Sequence, residues 1–482
     1  MEFEPVIGIE IHVELKSKTK MFSSAPTSFG QKPNSCAVYY DFAFPGTMPV
    51  VNKEAVSYGI KVCKALNMTI NHTLYFDRKN YFYPDLPKGY QITQQFDPIG
   101  RDGYLLIETK DGEKKVTIEQ AHLEEDTAKQ LHLNDMSLVD FNRCGTPLIE
   151  IVSNPDMHSG EEAMKYVEAI REIVTYLEVS DGKMENGSLR CDINISLREK
   201  GSKKLGVKTE CKNLNTISNI KAAVDYEIAR QRELLKKGEK ITQETRRYDE
   251  TLKKTVIMRK KTDAIDYKYF REPNIIPIDL DDDFINDAIY SMNKLPYQYK
   301  KDFKAIGLSN YEIELLLKDR QVVCYFEDCL ALGVKNPSVL VSLISGDIMG
   351  YLNKNGKTFK DLNVSKENMV YLANALEEKK INSKQGKIVL EKMLVENRDS
   401  KEIISSLGLQ MLSDEKAIEK IVDIVIKENK QVVDDYQRGK DHGLGYLVGQ
   451  VMKMSKGQAN PIIAKKLIIE KIGECPKVNT NH

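Results

Sequence analysis

Several common signatures are missing from this chain of 482 residues. Its eight cysteines include no Cys-x-x-Cys pair, which argues against a zinc site built from paired cysteines. The sequence contains neither a signal peptide nor an apolar run long enough to cross a bilayer. We therefore expect a reduced, soluble, cytoplasmic protein that does not associate with a membrane.

The sequence motifs of three familiar catalytic sites are also missing. There is no Gly-x-x-x-x-Gly-Lys-Ser/Thr loop, so any bound ATP would not be held by a P-loop. Neither a nucleophile elbow nor a Ser-Ser-Lys amidase run is present. The candidate functional residues are therefore carboxylates, an imidazole and lysines.

The charges of the chain balance, with 71 Lys and Arg against 71 Asp and Glu. This balance argues against a uniformly basic protein that coats nucleic acid. Residues 200–262 depart from it, with 18 basic and 8 acidic side chains. That segment is either a solvated helix face or a zone of contact with phosphate groups, and composition does not distinguish the two.

The clearest functional pattern lies at residues 6–15. Apolar side chains occupy every second position, while Glu10, His12 and Glu14 share the opposite face. Strict alternation predicts a half-buried strand. Its polar face is either the wet side of an edge strand or a metal-binding or catalytic surface.

Similar polar faces recur later in the chain. Asp192 lies on the polar face of a predicted strand at 189–197, Glu210 on that of 207–212, and Glu150 interrupts an aliphatic run. Several such strands predict a sheet whose concave side is a reaction chamber. Because a buried carboxylate without a partner is unstable, we expect a cation next to Glu150.

Two further segments suit phosphoryl transfer. Residues 122–126, His-Leu-Glu-Glu-Asp, offer oxygen ligands for Mg²⁺ or Mn²⁺ if they lie beside the first strand, although acidic clusters are usually solvated. Lys79 belongs to a basic and aromatic stretch suited to phosphates and to a stacked base or ribose. Carboxylates that hold a divalent metal near cations favour phosphoryl transfer.

The order of the elements predicts an α+β fold with two or three domains. Strand-like and helix-like segments mix up to about residue 290, and helices follow one another from there, with a second boundary near 405. Helix N-caps are predicted at five positions. These are Asn52, Ser159, Ser365, Ser400 and Ser413.

Nine short motifs, in order, together closely resemble those of the B subunits of the aspartyl/glutamyl-tRNA(Asn/Gln) amidotransferase family. The resemblance covers essentially the whole chain. The motifs are Gly-Ile-Glu-Ile-His-Val-Glu-Leu at 8–15, Asp-Arg-Lys-Asn-Tyr-Phe-Tyr-Pro-Asp at 77–85, Gly-Tyr-Gln-Ile-Thr-Gln at 89–94, His-Leu-Glu-Glu-Asp at 122–126, Gly-Thr-Pro-Leu-Ile-Glu-Ile at 145–151, Gly-Ser-Leu-Arg-Cys-Asp at 187–192, Lys-Asn-Leu-Asn at 212–215, Glu-Thr-Arg-Arg at 244–247 and Lys-Gly-Gln-Ala-Asn-Pro at 456–461.

The resemblance implies ATP-dependent amidation of a misacylated tRNA. The side-chain carboxylate of Glu-tRNA(Gln) or Asp-tRNA(Asn) is phosphorylated, and ammonia then displaces the phosphate. In the family, an amidase, the A subunit, makes the ammonia from glutamine, and the small C subunit clamps the amidase to the B subunit. The missing amidase motif of this chain agrees with that division of labour.

The resemblance also implies a fold and a set of site residues. It implies a cradle-like α+β domain at 1–290, with a mostly antiparallel sheet and flanking helices, then a helical domain at 291–405 and a helical tail at 406–482 that hold the tRNA. The implied ligands of Mg²⁺ (or Mn²⁺) are His12, Glu125 and Glu150. The other implied members of the kinase and transamidation site are Glu10, Lys79, Asp192 and Glu210.

The helical tail carries our candidates for tRNA contacts. Lys453, Lys456, Lys465 and Lys466 offer cations on helical surfaces to the phosphates. Exposed lysines more commonly serve solubility, so both interpretations stay open.

One departure from the family concerns zinc. Some members hold a cysteine-ligated zinc after the first strand, where this chain has only Cys36, so we expect no structural zinc.

Two alternative functions are a stand-alone metal-dependent phosphotransferase for a small carboxylate and a non-catalytic RNA-binding scaffold. The long helical region argues against the first, and Glu10, His12 and Glu125 argue against the second.

Overall fold

The computed structural model describes residues 2–27, 30–260, 266–408, 415–438, 442–455 and 459–473. The chain forms two compact units, Met1–Tyr299 and Lys300–His482. All strands named below belong to the first unit, and the regular elements described in the second unit are helices. The predicted α+β fold with a helical C-terminal region is confirmed. The predicted domain boundaries near residues 290 and 405 stay predictions.

A nine-stranded sheet forms the centre of the first unit. Neighbouring strands are antiparallel, except for β12 and β13, which run parallel. In spatial order the strands are β14 (Lys254–Lys260), β13 (Glu244–Asp249), β12 (Thr209–Lys212), β11 (Leu189–Glu199), β1 (Phe3–Glu14), β10 (Pro147–Ser153), β7 (Gly112–Glu125), β6 (Gly100–Thr109) and β2 (Thr69–Ile70).

Three small sheets accompany the large one. One has the order β15 (Phe270–Arg271), β4 (Asp77–Asn80), β5 (Tyr90–Thr93); the others pair β3 (Thr73–Leu74) with β16 (Ile278–Asp279) and β8 (Lys129–Leu133) with β9 (Met136–Asp140). The three-stranded sheet is tied to the end of β7, because Gln91 Nε2 donates a hydrogen bond of 2.7 Å to the carbonyl oxygen of Glu125. This contact brings β4 and its Lys79 towards the large sheet.

Among the described residues, four helices lie wholly within the first unit: α1 (Lys53–Ala65), α2 (Gly160–Tyr176), α3 (Ile217–Lys236) and α4 (Asp282–Tyr290). Asn52 and Ser159 cap α1 and α2 by accepting hydrogen bonds from the backbone N–H groups of Ala55 and Glu162, as predicted. The core between these helices and the sheet contains the odd-numbered positions of β1 from Ile7 to Val13, each at most 1% exposed. The side chains at the even-numbered positions of β1 therefore project from the opposite face of the sheet.

The division between the units falls within α5 (Pro296–Ala305). The helices that follow are α6 (Asn310–Leu317), α7 (Arg320–Ala331), α8 (Pro337–Ser342), α9 (Met349–Lys354), α10 (Lys366–Glu377), α11 (Ser383–Glu396), α12 (Ser400–Ser406), α13 (Glu415–Glu428), α14 (Lys430–Gln437), α15 (His442–Met454) and α16 (Pro461–Ile472). Helices α13–α16 enclose an apolar core of their own. None of the described helices is both long enough and apolar enough to cross a membrane.

The predicted caps of the helical unit have mixed outcomes. Ser365 caps α10 by accepting a hydrogen bond of 3.3 Å from the backbone N–H of Asn368, as predicted. The prediction for Ser400 is wrong, because Asp399 caps α12 and Ser400 is its first helical residue. An Asp carboxylate is as good a cap as a Ser hydroxyl, and its charge also suits a helix N-terminus. Ser413 lies outside the described residues.

Candidate active site

The strand register gathers four charged side chains into one row across the sheet. His12 on β1 lies opposite Arg190 on β11 and opposite Glu150 on β10. Glu150 in turn lies opposite His122 on β7. On each strand, the residues immediately before and after these four face the core. Because side chains alternate between the two faces of a sheet, all four project from the polar face.

The centre of this row has the geometry of a metal site. Glu150 Oε2 lies 2.9 Å from His122 Nε2 and 3.4 Å from His12 Nε2. Glu124 adds a second carboxylate, whose Oε1 lies 3.6 Å from His12 Nε2. One ligand atom from each of His12, Glu124 and Glu150 lies within 4.8 Å of the other two, so one cation can contact all three.

Burial and opposite charge act against each other in this cluster. Burial lowers the pKa of His12, but the charges of Glu150 and Glu124 outweigh it and raise the pKa to about 9. The same opposition raises the pKa of His122 to about 10. Burial raises the pKa of Glu150, whereas the two imidazolium charges hold it well below its usual range. The expected basic neighbours of Glu150 are therefore the side chains of His12 and His122.

Glu124 and Glu125 point to opposite faces of β7. Glu124 projects into the cluster with His12, whereas Glu125 accepts hydrogen bonds of 2.6 and 2.7 Å from Lys88 Nζ. Glu125 Oε1 also accepts a hydrogen bond from the backbone N–H of Ile92, and its side chain is 1% exposed. The structure therefore places Glu124, rather than Glu125, beside His12 and Glu150.

A second polar row lies one step along the strands. Glu10 faces Asp192 across β1 and β11, and its Oε1 accepts a hydrogen bond of 2.9 Å from Asn194 Nδ2. Lys212 contacts the carboxylate of Asp192, and its Nζ lies 3.2 Å from Glu210 Oε1. Burial lowers the pKa of Lys212, but these two carboxylates outweigh it and raise the pKa. The structure thus brings Asp192 and Glu210 together around the Lys212 ammonium, with Glu10 opposite Asp192 on the next strand.

Lys79 lies on the three-stranded sheet among aromatic rings. Its Nζ lies 4.9 Å from the ring centre of Tyr267 and 6.0 Å from that of Tyr81. The ring of Tyr267 in turn lies edge-on to that of Tyr269, with 6.1 Å between the ring centres. Burial, Tyr267 and then the charges of Glu150 and Glu124 raise the pKa of Tyr269 to about 12. The Lys79 ammonium is therefore held by an aromatic row that lies within electrostatic range of the carboxylate cluster.

A third set of charges borders the row of histidines. Arg190 Nη2 donates a hydrogen bond of 2.6 Å to Asp126 Oδ2, and Arg143 Nε lies 3.6 Å from the same oxygen. Burial and the charge of Asp126 raise the pKa of Glu14 to about 7, although the charges of Arg190 and Arg143 lower it. The site is therefore bordered by cations on one side of a mainly acidic face.

Three side chains of this cluster are not among the individually predicted site residues: His122, Glu124 and Arg190. A signal for each was present. His122 and Glu124 are two residues apart and share a face of any strand through 122–126, and Arg190 shares one with Asp192. Applying the two-residue period to segment 122–126, as for residues 6–15, selects Glu124 and rejects Glu125.

The candidate tRNA contacts are distributed over two helices of the second unit. Lys453 lies exposed near the end of α15, and Lys465 and Lys466 lie exposed on α16. Lys466 Nζ lies 3.4 Å from Glu415 Oε1 and 3.7 Å from Glu470 Oε1. Lys456 lies outside the described residues.

Comparisons with known proteins cover both units. The family model described as "GatB/GatE catalytic domain" matches residues 5–286, and the one described as "GatB domain" matches residues 324–472. The aspartyl/glutamyl-tRNA(Asn/Gln) amidotransferase B subunit of Geobacillus kaustophilus (strain HTA426) is 45% identical over 476 residues, which are 98% of this chain and 100% of that protein. The corresponding protein of Bacillus cereus (strain AH187) is 43% identical over 475 residues, again 98% of this chain and 100% of the relative. The chain belongs to the family of aspartyl/glutamyl-tRNA(Asn/Gln) amidotransferase B subunits.

Proposed function

We propose that this chain is the B subunit of a tRNA-dependent amidotransferase and carries its kinase and transamidation site. The side-chain carboxylate of Glu-tRNA(Gln) or Asp-tRNA(Asn) attacks the γ-phosphorus of ATP, and ADP leaves. Ammonia then attacks the acyl phosphate, which releases inorganic phosphate and a proton and leaves the amide. The cluster of His12, Glu124 and Glu150 on the polar face of the sheet is the observation that carries this proposal.

His12, Glu124 and Glu150 would hold a divalent cation, Mg²⁺ or Mn²⁺, with His122 beside them. The donor set fits such an ion, because two carboxylates and an imidazole converge within 4.8 Å. When bound, the ion would reduce the phosphate charge that opposes attack by a carboxylate. Glu124 replaces Glu125 in this assignment, because the carboxylate of Glu125 is already bound by Lys88.

The neighbouring rows would position the other reactants. Lys79 would place a positive charge where the transferred phosphoryl group becomes more negative. Glu10, Asp192 and Glu210 would form an acidic surface suited to an ammonium ion, or to the proton released when the amide forms. Lys212 holds Asp192 and Glu210 in place through its contacts with both carboxylates.

The partners follow from the family and from what the sequence lacks. The relatives are named as the B subunits of an aspartyl/glutamyl-tRNA(Asn/Gln) amidotransferase. The chain has no Ser-Ser-Lys amidase run. We therefore infer that an amidase, the A subunit, supplies the ammonia, that a small C subunit joins the two, and that the assembly acts in the cytoplasm on misacylated tRNA through its tail lysines.

A nitrogen-donor experiment tests this function. Purified chain is incubated with ATP, Mg²⁺ and Glu-tRNA(Gln) or Asp-tRNA(Asn), with either ammonium or glutamine, in the presence and absence of the amidase and the small C subunit. The expected result is amide formation from ammonium by the chain alone and from glutamine only when the amidase is added. Glutaminase activity of the chain alone, or amidation without ATP, would contradict the proposal.

A further inference from the structure

Strand β15 has only two residues, yet its register on β4 determines the surroundings of Lys79. Tyr267 and Tyr269, the rings of the aromatic row, come just before it in the chain. Because side chains alternate along an extended segment, a slip of β15 by one residue would carry both rings to the face opposite Lys79. A strand of two residues makes few backbone hydrogen bonds, so its register needs a further determinant.

Two ion pairs join the segment of β15 to β4. Arg78 Nε and Nη2 donate hydrogen bonds of 2.6 and 3.0 Å to the two carboxylate oxygens of Glu272. Arg271 Nη1 donates a hydrogen bond of 3.0 Å to Asp77 Oδ1. Both carboxylates are fully buried, and the two pairs lie on opposite faces of β4 because Asp77 and Arg78 are consecutive. We call Arg78–Glu272 and Asp77–Arg271 the register pairs.

Aromatic rings and a further carboxylate surround the two arginines. The guanidinium carbon of Arg78 lies 4.0 Å from the ring centre of Tyr90 on β5, so Arg78 connects all three strands of the small sheet. Arg271 also contacts the carboxylate of Asp97, and its guanidinium carbon lies 4.6 Å from the ring centre of Tyr75. Each guanidinium is therefore fixed by both a carboxylate and a ring.

The order of the charges disfavours the neighbouring registers. In the structure, Arg271 lies opposite Asp77. A slip of one residue in one direction would place Arg271 opposite Arg78 and Glu272 opposite Asp77, and like charges directly opposite each other are destabilising. A slip in the other direction would carry Glu272 away from Arg78 and leave a buried carboxylate without its cation. The observed register satisfies all four charges.

The face that this register selects continues to the metal-binding cluster. Lys79 lies opposite Gln91 on β5, and Thr93 shares the face of Gln91 two residues further on. Thr93 Oγ1 donates a hydrogen bond of 3.4 Å to Glu124 Oε2. The side of the small sheet that carries Lys79 is therefore the side that contacts a proposed cation ligand.

We propose that the register pairs are a positioning device for Lys79: they fix the register of β15, and this register places the rings of Tyr267 and Tyr269 beside the Lys79 ammonium. The inference rests on the proposed function, because it takes Lys79 as the cation that faces the transferred phosphoryl group. A buried ion pair adds little stability over uncharged side chains of similar size, but it can select one geometry. The register pairs therefore determine where the ammonium lies rather than whether the sheet folds.

A variant that lacks one pair but keeps its volume tests this role. In Arg78→Met/Glu272→Gln, the glutamine oxygen can still accept the hydrogen bond that the backbone N–H of Asn274 donates to Glu272. The measurement is single-turnover formation of ADP from Mg²⁺·ATP and Glu-tRNA(Gln) or Asp-tRNA(Asn), with the full chain in complex with the amidase and the small C subunit. We expect a nearly unchanged unfolding temperature and a rate lower by roughly tenfold to a hundredfold, part of the loss expected for Lys79→Ala.

Combination with Lys79→Ala separates positioning from a general structural role. A positioning residue acts through Lys79, so Arg78→Met/Glu272→Gln should slow ADP formation no further in the Lys79→Ala background. The matched control is Lys114→Met/Glu162→Gln, which removes another half-buried ion pair, 2.6 Å long, between β7 and α2. The control should leave the rate unchanged in both backgrounds.

A fluorescent reporter follows the aromatic row without depending on catalysis. The chain contains no tryptophan, so Tyr267→Trp introduces a single one. Position 267 is half-buried, whereas the neighbouring positions 268 and 270, on the opposite face, are exposed. In the full chain alone, Arg78→Met/Glu272→Gln should therefore increase quenching of this fluorescence by acrylamide, and the control pair should not.

The possible results decide the inference separately from the proposed function. A wild-type rate in Arg78→Met/Glu272→Gln would overturn the inference, and so would an equal loss of rate with and without Lys79, because the pair would then be merely structural. An unfolded variant, or unchanged quenching of the reporter, would also overturn it. In each of these cases the proposed function stands if the wild-type complex forms ADP. A wild-type complex that forms no ADP with either aminoacyl-tRNA would overturn the proposed function and, with it, the role of Lys79.

Discussion

The two units of this chain place their charges in different surroundings. On the sheet, His12 and Glu150 are 24% and 16% exposed, and they interact within a cluster of four side chains. On the helical unit, Lys466 and Glu415 are 62% and 59% exposed, and their charged atoms lie 3.4 Å apart. Both are ion pairs of similar length, so the difference between them is burial.

Burial decides how much each pair influences the protein. In the sheet, low dielectric and mutual contact shift the pKa values of His12 and His122 far from that of free imidazole. An exposed pair in water contributes little and is screened by salt. Substitutions on the sheet face should therefore change chemistry or folding strongly, whereas substitutions on the helices should act weakly and depend on salt.

The largest expected effect separates two adjacent carboxylates. Glu124→Gln should abolish ATP-dependent amidation, because it removes a ligand charge and keeps the side-chain volume, and its effect on stability should be the smaller one, because Glu150 still contacts both histidines. Glu125→Gln should instead lower the free energy of unfolding by about 3–5 kcal/mol, because it leaves the Lys88 ammonium buried without a counter-charge. Amidation assays and thermal unfolding of both variants test this contrast.

A double variant controls for the buried pair. Adding Lys88→Met to Glu125→Gln removes the unpaired charge and should recover most of the lost stability. If Glu125→Gln instead abolishes amidation in a fully stable protein while Glu124→Gln stays active, Glu125 is the ligand and the assignment reverts to the one that the family resemblance implies.

Alternation predicted the polar faces of β1 and β11 because these strands are long and one side is almost wholly apolar. In residues 122–126 the same period sets His122, Glu124 and Asp126 apart from Leu123 and Glu125, but the carboxylate of Glu125 interrupts the apolar side, so the two faces are harder to distinguish. Pairing between strands distant in the sequence, which brings Glu150 between His12 and His122, follows from no local pattern. The site could therefore be predicted strand by strand, but not its assembly.

A second prediction concerns Lys79. Lys79→Ala should reduce the rate of phosphoryl transfer by roughly 10²–10³, the loss typical of one preorganised electrostatic contact. Lys115 is the matched control, because its Nζ also lies over an aromatic ring, 4.2 Å from the centre of Tyr104. Lys115→Ala should leave the rate unchanged. Equal rates for the two variants would remove Lys79 from the site.

A third prediction uses the pH dependence of stability. The pKa values of His12 and His122 rise on folding from near 6.5 to about 9 and about 10, so their contribution is fully present below pH 6.5 and is lost as pH rises through these folded values. In EDTA, the unfolding temperature should fall between pH 8 and 10 more steeply for wild type than for a His12→Gln/His122→Gln variant.

This experiment has a control variant, and adding metal should reverse the sign of the pH dependence. His72→Gln removes an exposed pair with Asp282 and should leave the wild-type profile unchanged. With Mn²⁺ added, stabilisation should increase with pH, because the bound cation must displace the histidine protons. Identical profiles with and without the histidines would show that the cluster is not charged as the structure indicates.

The smallest expected effects lie on α16 and test the helical side of the comparison. Lys465→Gln should weaken tRNA binding modestly and lower the slope of log affinity against log salt by up to about one unit, the change expected for one lost phosphate contact. Lys466→Gln should do less, because the ammonium of Lys466 already lies near Glu415 and Glu470, whereas no ion pair of Lys465 is present among the described residues. Titrating both variants with tRNA at several salt concentrations measures the difference. Unchanged affinity and slope for both would mean that these lysines serve solubility, and that the tRNA binds through other surfaces of the chain.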